Sequence, residues 1–125
     1  MATSQSIELD VEAASSTPRA VRRAFGLHFA ARPQLDDLLL CLSEVVTNAV
    51  LYGGAPIRVV GHVVESGVRV EVSDGSTVLP VRQTPGPTSP TGRGLGLLDR
   101  LAKTWGVDVS GSGKTVWFEV DGASA

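Results

Sequence analysis

The chain has one cysteine, Cys41, so it can form no internal disulfide, and a reducing compartment suits it. No apolar run approaches the roughly 18 residues of a membrane span. The first residues, MATSQSIELD, lack the basic-then-apolar order of a secretory signal. The expected address is therefore the cytoplasm, without membrane contact. Neither sign of charge dominates: 11 Lys and Arg stand against 13 Asp and Glu, a formal net charge of −2. That balance argues against nonspecific nucleic-acid binding as the main role, although Arg19, Arg22 and Arg23 cluster. His28 and His62 have no neighbours at metal-ligand spacing, and a single cysteine makes no zinc pattern. Ser43 has no His–Asp set to activate it. Gly113-Lys114-Thr115 lacks the upstream glycine of a Walker A loop.

What remains is an ordinary globular composition, 42% hydrophobic and 19% charged over 125 residues, enough for one domain with a real core. Residues 1–125 read as that single domain, with its core over about 7–120. Ile7 to Ala13 alternates apolar and acidic residues and predicts a strand. Ser16-Thr17-Pro18 predicts a helix start, a hydroxyl cap followed by proline at the first helical position. That helix is expected to run to about Ala31, with Val21, Phe25 and Phe29 on one face. A second helix begins after Arg32-Pro33. Leu35, Leu38, Leu39, Leu42, Val45, Val46, Ala49 and Val50 give it a core-facing stripe, and Gly53-Gly54 ends it. Asp37, Cys41, Glu44 and Asn48 form a separate stripe, with Cys41 expected to be buried.

Ile57 to Glu65 and Val68 to Ser73 are β-branched runs joined at Ser66-Gly67, a hairpin signal. Asp74 to Arg93 holds Pro80, Pro85, Pro87 and Pro90 and predicts a long functional loop, a lid over about 75–93. A third helix is expected from Gly94 to Thr104. Trp105 to Ser110 and Lys114 to Val120 close the chain as a hairpin over Gly111-Ser112-Gly113. Strands and helices that do not strictly alternate predict an α+β fold, a mostly antiparallel sheet with helices on one face.

Three blocks could carry chemistry. In SEVVTNAVLYGG, Glu44 and Asn48 lie four residues apart, so a carboxylate and an amide are helix neighbours. Glu44 suits a general base near a phosphate, or a solvated helix face. Asn48 offers Mg²⁺ a hard oxygen, or is an ordinary asparagine near a helix end. In VEVSDGS, Asp74 and Gly75 form a turn whose carboxylate could accept from an exocyclic amine. In TGRGLGLLDRLA, Gly92, Gly94 and Gly96 alternate with Arg93 and Leu95 on a loop entering a helix, where backbone N–H groups and the helix dipole favour phosphate. Arg93 could contact phosphate or simply be solvated. Thr115 could bond a base or a water, or be an exposed strand threonine.

In these blocks the chain resembles the GHKL ATPase superfamily, and within it the small anti-sigma-factor serine/threonine kinases of bacterial partner-switching systems. SEVVTNAVLYGG is similar to the family's N box, VEVSDGS to its first glycine box, TGRGLGLLDRLA to its second, and WGVDVSGSGKTVWFEV to its closing hairpin. The resemblance covers about Ile7 to Val120. It implies a two-layer α/β sandwich of Bergerat type, with ATP between helices and sheet and Mg²⁺ as companion ion. It also implies roles: Glu44 as catalytic base, Asn48 as magnesium ligand, Asp74 with Gly75 at the adenine amine. Gly92, Arg93, Gly94, Leu95 and Gly96 would lie over the phosphates, and Thr115 near the adenine. The implied partners are a sigma factor and an anti-anti-sigma protein, with a homodimer by analogy. The chain departs from the family's DxGxG pattern, because Ser76 and Val78 stand where two glycines are expected. Two functions follow. One is an anti-sigma factor that phosphorylates its anti-anti-sigma partner. The other is a binding module that sequesters a regulatory partner without phosphoryl transfer.

Overall fold

A computed structural model describes residues 6–77 and 90–121, the side chains of 90–95 excepted. The elements run β1 (Ser6–Val11), α1 (Thr17–His28), α2 (Leu35–Tyr52), β2 (Ile57–Val64), β3 (Gly67–Asp74), α3 (Pro90–Leu101), β4 (Thr104–Ser110) and β5 (Gly113–Asp121). The strands form one five-stranded sheet in the order β1-β2-β3-β5-β4, every neighbouring pair antiparallel. The α+β sandwich expected from the sequence is the architecture observed. Among the described residues, no helix is long and apolar enough to cross a membrane.

Strand alternation builds the core. Val68, Val70 and Val72 of β3 and Val116, Phe118 and Val120 of β5 point inward and are buried. Across the layer, Val21, Phe25 and Phe29 meet Leu38, Leu42, Val45, Val46 and Ala49 of α2, and Leu98 of α3 completes the cluster. At about 25 cal/mol per Å² of apolar surface, burying this set is the main force holding helices to sheet. α2 packs against both α1 and α3 and also touches β2, β3 and β5, so it is the central helix. Gly61 of β2 leaves room for an aromatic ring: a Cβ there would lie 2.5 Å from Phe25 Cε2.

Several boundaries differ from the sequence expectation. α1 ends at His28 instead of near Ala31, because the Phe29 N–H closes the last turn on the Phe25 carbonyl. Ser16 is its N-cap but makes no side-chain capping bond, and proline falls second in the helix instead of first. Thr17 Oγ1 donates instead to the Glu12 carbonyl at 2.6 Å, tying the helix start to the end of β1. The helix α3 starts at Pro90, so Gly92, Gly94 and Gly96 lie inside it, not on a loop before it. Proline is well tolerated in a first helical turn, which is why it begins this helix instead of preventing it. Most of the expected lid, residues 78–89, lies outside the described residues.

The sheet's other face is polar and paired. Arg69 donates to Glu71 at 2.9 Å and to Glu119 at 3.1 Å, and its guanidinium lies 4.3 Å from the Trp117 ring centroid. Partial burial pulls the Arg69 pKa down, but the two carboxylates outweigh it and hold it above its ordinary value. Arg58 bridges to Glu8 and Asp10 on the β1 edge.

Candidate functional site

Asp74 ends β3 in the inward phase of Val68, Val70 and Val72, so the strand carries a carboxylate where a core residue would stand. Its backbone partner on β5 is Lys114, likewise in the inward phase of Val116, Phe118 and Val120. The two side chains, 2% and 6% exposed, form an ion pair with Lys114 Nζ 2.9 Å from Asp74 Oδ1. The Ser76 N–H donates to the same oxygen at 2.9 Å. Among the described residues, Asp74 Oδ2 accepts no hydrogen bond.

Glycines allow close packing around Asp74, one of them against its carboxylate. A Cβ on Gly53, just past the end of α2, would lie 2.7 Å from both Cγ and Oδ2 of Asp74. A Cβ on Gly113 would overlap the Asp74 carbonyl, and one on Gly75 would lie 2.5 Å from the Ala55 carbonyl oxygen. No described residue has positive φ, so these glycines serve close approach and not handedness. The Gly75 N–H donates to the Gly54 carbonyl at 2.6 Å, fastening the segment after α2 to the end of β3. The first glycine box and the end of the N box are thereby brought together.

Glu44 and Asn48 sit one turn apart on α2, both partly buried, between the buried pairs Cys41–Leu42, Val45–Val46 and Ala49. The helix rise of about 1.5 Å per residue puts Asn48 roughly 7 Å and Glu44 roughly 13 Å along the axis from Gly53. Cys41 on the same helix is buried in the core, as expected: burial, with the Asp37 carboxylate adding to it, pushes its thiol pKa up to about 12. Gly92, Arg93, Gly94 and Leu95 fall within α3, and their side chains lie outside the described set. A Cβ on Gly96 would meet nothing within 4 Å.

Thr115 follows Lys114 on β5. It points to the outer face of the sheet, where its hydroxyl is 2.8 Å from that of Ser73, and Lys114 takes the place beside Asp74. Period-2 alternation decides this, since residues 114 and 115 must face opposite ways. Sequence reasoning missed Lys114. The available signal was a lysine two residues before Val116 in an inward series of apolar residues. An open cavity of about 400 Å³ at this end of the sheet is lined by Asp74, Gly75 and Lys114 together with Arg58, Ser73 and Thr115, so Thr115 borders the same cavity as Asp74. Glu44 and Asn48 are not part of its lining. Among the described residues no group of three or more His, Cys, Asp or Glu could hold a metal ion. Asn48 offers a single amide oxygen on α2, the kind of sparse protein donor that suits an ion such as Mg²⁺, which keeps several waters and is held largely by substrate phosphates.

The histidine kinase-like ATPase domain family model matches residues 7–120, and the chain belongs to that family. Among solved structures it is similar to the RsbU and RsbW domains of Rv1364c from Mycobacterium tuberculosis, with a TM-score of 0.72 and 21% identity. The match covers 93% of this chain, which spans about a third (32%) of that one, and at this identity the likeness speaks to fold. No curated protein matches the chain.

Proposed function

We propose that this domain binds ATP with magnesium between α2 and the sheet and acts as an anti-sigma factor with protein serine/threonine kinase activity toward an anti-anti-sigma partner. One observation carries the reading: the end of α2 is packed through Gly53 onto the buried Asp74, with Asn48 and Glu44 following back along the same helix. An extended nucleotide with its base amine at Asp74 Oδ2 would run its phosphates toward Asn48 and Glu44. When bound, magnesium would neutralise charge on the transferring phosphate. The Asn48 amide oxygen would be its protein ligand. Glu44 would accept the proton of the incoming serine or threonine hydroxyl as the oxygen–phosphorus bond forms and the diphosphate leaves. The resemblance to anti-sigma-factor kinases in the N box and both glycine boxes supplies the substrate and partner class. A cytoplasmic address and a homodimer belong to the same reading.

The test is Glu44→Gln, which keeps size and helix propensity but removes the base. Labelled-phosphate transfer to the anti-anti-sigma protein should fall by about 10²–10⁴-fold, while ATP and partner binding persist. A mutant as active as wild type would place the base elsewhere. The sequestering reading has its own support in the Lys114–Asp74 pair, which already satisfies one oxygen of the base-reading carboxylate. Wild-type protein that captures its partner but transfers nothing would favour it.

A further inference from the structure

Lys114 is the buried charged group beside Asp74 that the proposed chemistry leaves unused. An ammonium has three N–H donors. Among the described residues that of Lys114 has one partner, Asp74 Oδ1, although its side chain is only 6% exposed. Three donors less the one given to Asp74 leave two, and because unmet buried donors are costly an acceptor delivered to them would be favoured. They stand beside Asp74 Oδ2, the carboxylate oxygen not engaged by Lys114, and both residues border the cavity at the strand ends, together with Ser73 and Thr115. The pair therefore presents an acceptor and a donor side by side.

A purine edge offers the complement. The adenine 6-amine is a donor flanked by the ring acceptors N1 and N7. We infer that Lys114 is a specificity-determining residue that donates to the ring nitrogen adjoining the exocyclic amine, so that Asp74 and Lys114 together read the base at two points. This inference rests on the nucleotide reading above. It assigns base recognition to a strand residue in the inward phase of β5, whose ammonium contacts Asp74 directly.

Binding of ATP, 1-deaza-ATP and 7-deaza-ATP to the full chain, measured by calorimetry with magnesium, tests it. One of the two analogues should bind about tenfold or more weakly than ATP, the scale of a hydrogen bond to a charged donor. Lys114→Met should bind ATP and that analogue alike. Lys114→Gln, which retains a donor opposite Asp74, carries the same comparison should the methionine variant not fold, and should narrow the difference. If both analogues match ATP in the wild type, or the variants keep the full discrimination, Lys114 does not read the base although the nucleotide site stands. If ATP itself does not bind the wild type, the nucleotide reading falls and this inference with it.

Discussion

Removing either member of the Asp74–Lys114 pair should be far more damaging than removing both. The structure sets the magnitude. Each side chain is more than nine-tenths buried, and the 2.9 Å contact is the only one the Lys114 ammonium makes among the described residues. Asp74→Leu would strand the ammonium, and Lys114→Met would leave the carboxylate with only the Ser76 N–H. Stranding one ion of a buried pair costs about 3–5 kcal/mol. A chain of this length has a total stability of roughly 6–19 kcal/mol. Both single variants should still fold, with midpoints in urea lowered by about 1–3 M for a slope near 2 kcal/mol per M. The double variant replaces two charges by apolar groups of similar size among Val72, Val116 and the glycines. It should return to within about 1–2 kcal/mol of wild type, or exceed it. Urea unfolding of the four proteins, followed by tryptophan fluorescence, gives the cycle. Additive losses, or single variants within 1 kcal/mol of wild type, would refute the description of these groups as a buried, mutually dependent pair.

Two further outcomes concern the core. Gly61→Ala should destabilise the domain by about 1–3 kcal/mol in the same urea assay, because its Cβ would be pressed against Phe25 Cε2 at 2.5 Å. Cys41 has its folded pKa raised from 9.0 to about 12, so the unfolded chain releases the thiol proton first as pH rises. Its contribution to stability is complete below pH 9 and fades between pH 9 and 12. From pH 8 to pH 10 wild type should lose about 1.4 kcal/mol more than Cys41→Ala, and an equal loss in both would contradict the burial.

Much of this was readable before any coordinates. The α2 stripe of Leu38, Leu42, Val45, Val46 and Ala49 predicts its buried face, because helical periodicity and burial are the same fact seen twice. The hairpins β2–β3 and β4–β5 follow from valine-rich runs bounded by Ser-Gly and Gly-Ser-Gly turns. Local propensity placed α3 but set its start four residues late, because the prolines and glycines before Gly94 argue for loop while contact with α2 and burial of Leu98 support a helix from Pro90. Motif reasoning marked Glu44, Asn48 and Asp74 but overlooked Lys114. Matching a motif names residues along the chain, whereas strand phase decides which of two neighbours reaches a site. The pairing Asp74↔Lys114 is a property of sheet register, which motif spacing alone does not encode.

That register makes the interior the custodian of the site's chemistry. Slipping β5 by one residue against β3 would bring Thr115 opposite Asp74. The same slip would turn Trp117 and Glu119 into the core and expel Phe118, which is fully buried. The hydrophobic loss would far exceed anything gained or lost at one polar contact. The choice of lysine over threonine beside Asp74 is therefore enforced several residues away, by Val116, Phe118 and Val120. A change in the length of the Gly111-Ser112 turn would be absorbed in β4 or in the turn itself and leave that choice intact. Substitution at position 114 changes which group meets Asp74, at the cost of the buried pair, but which position meets it is written in valine and phenylalanine.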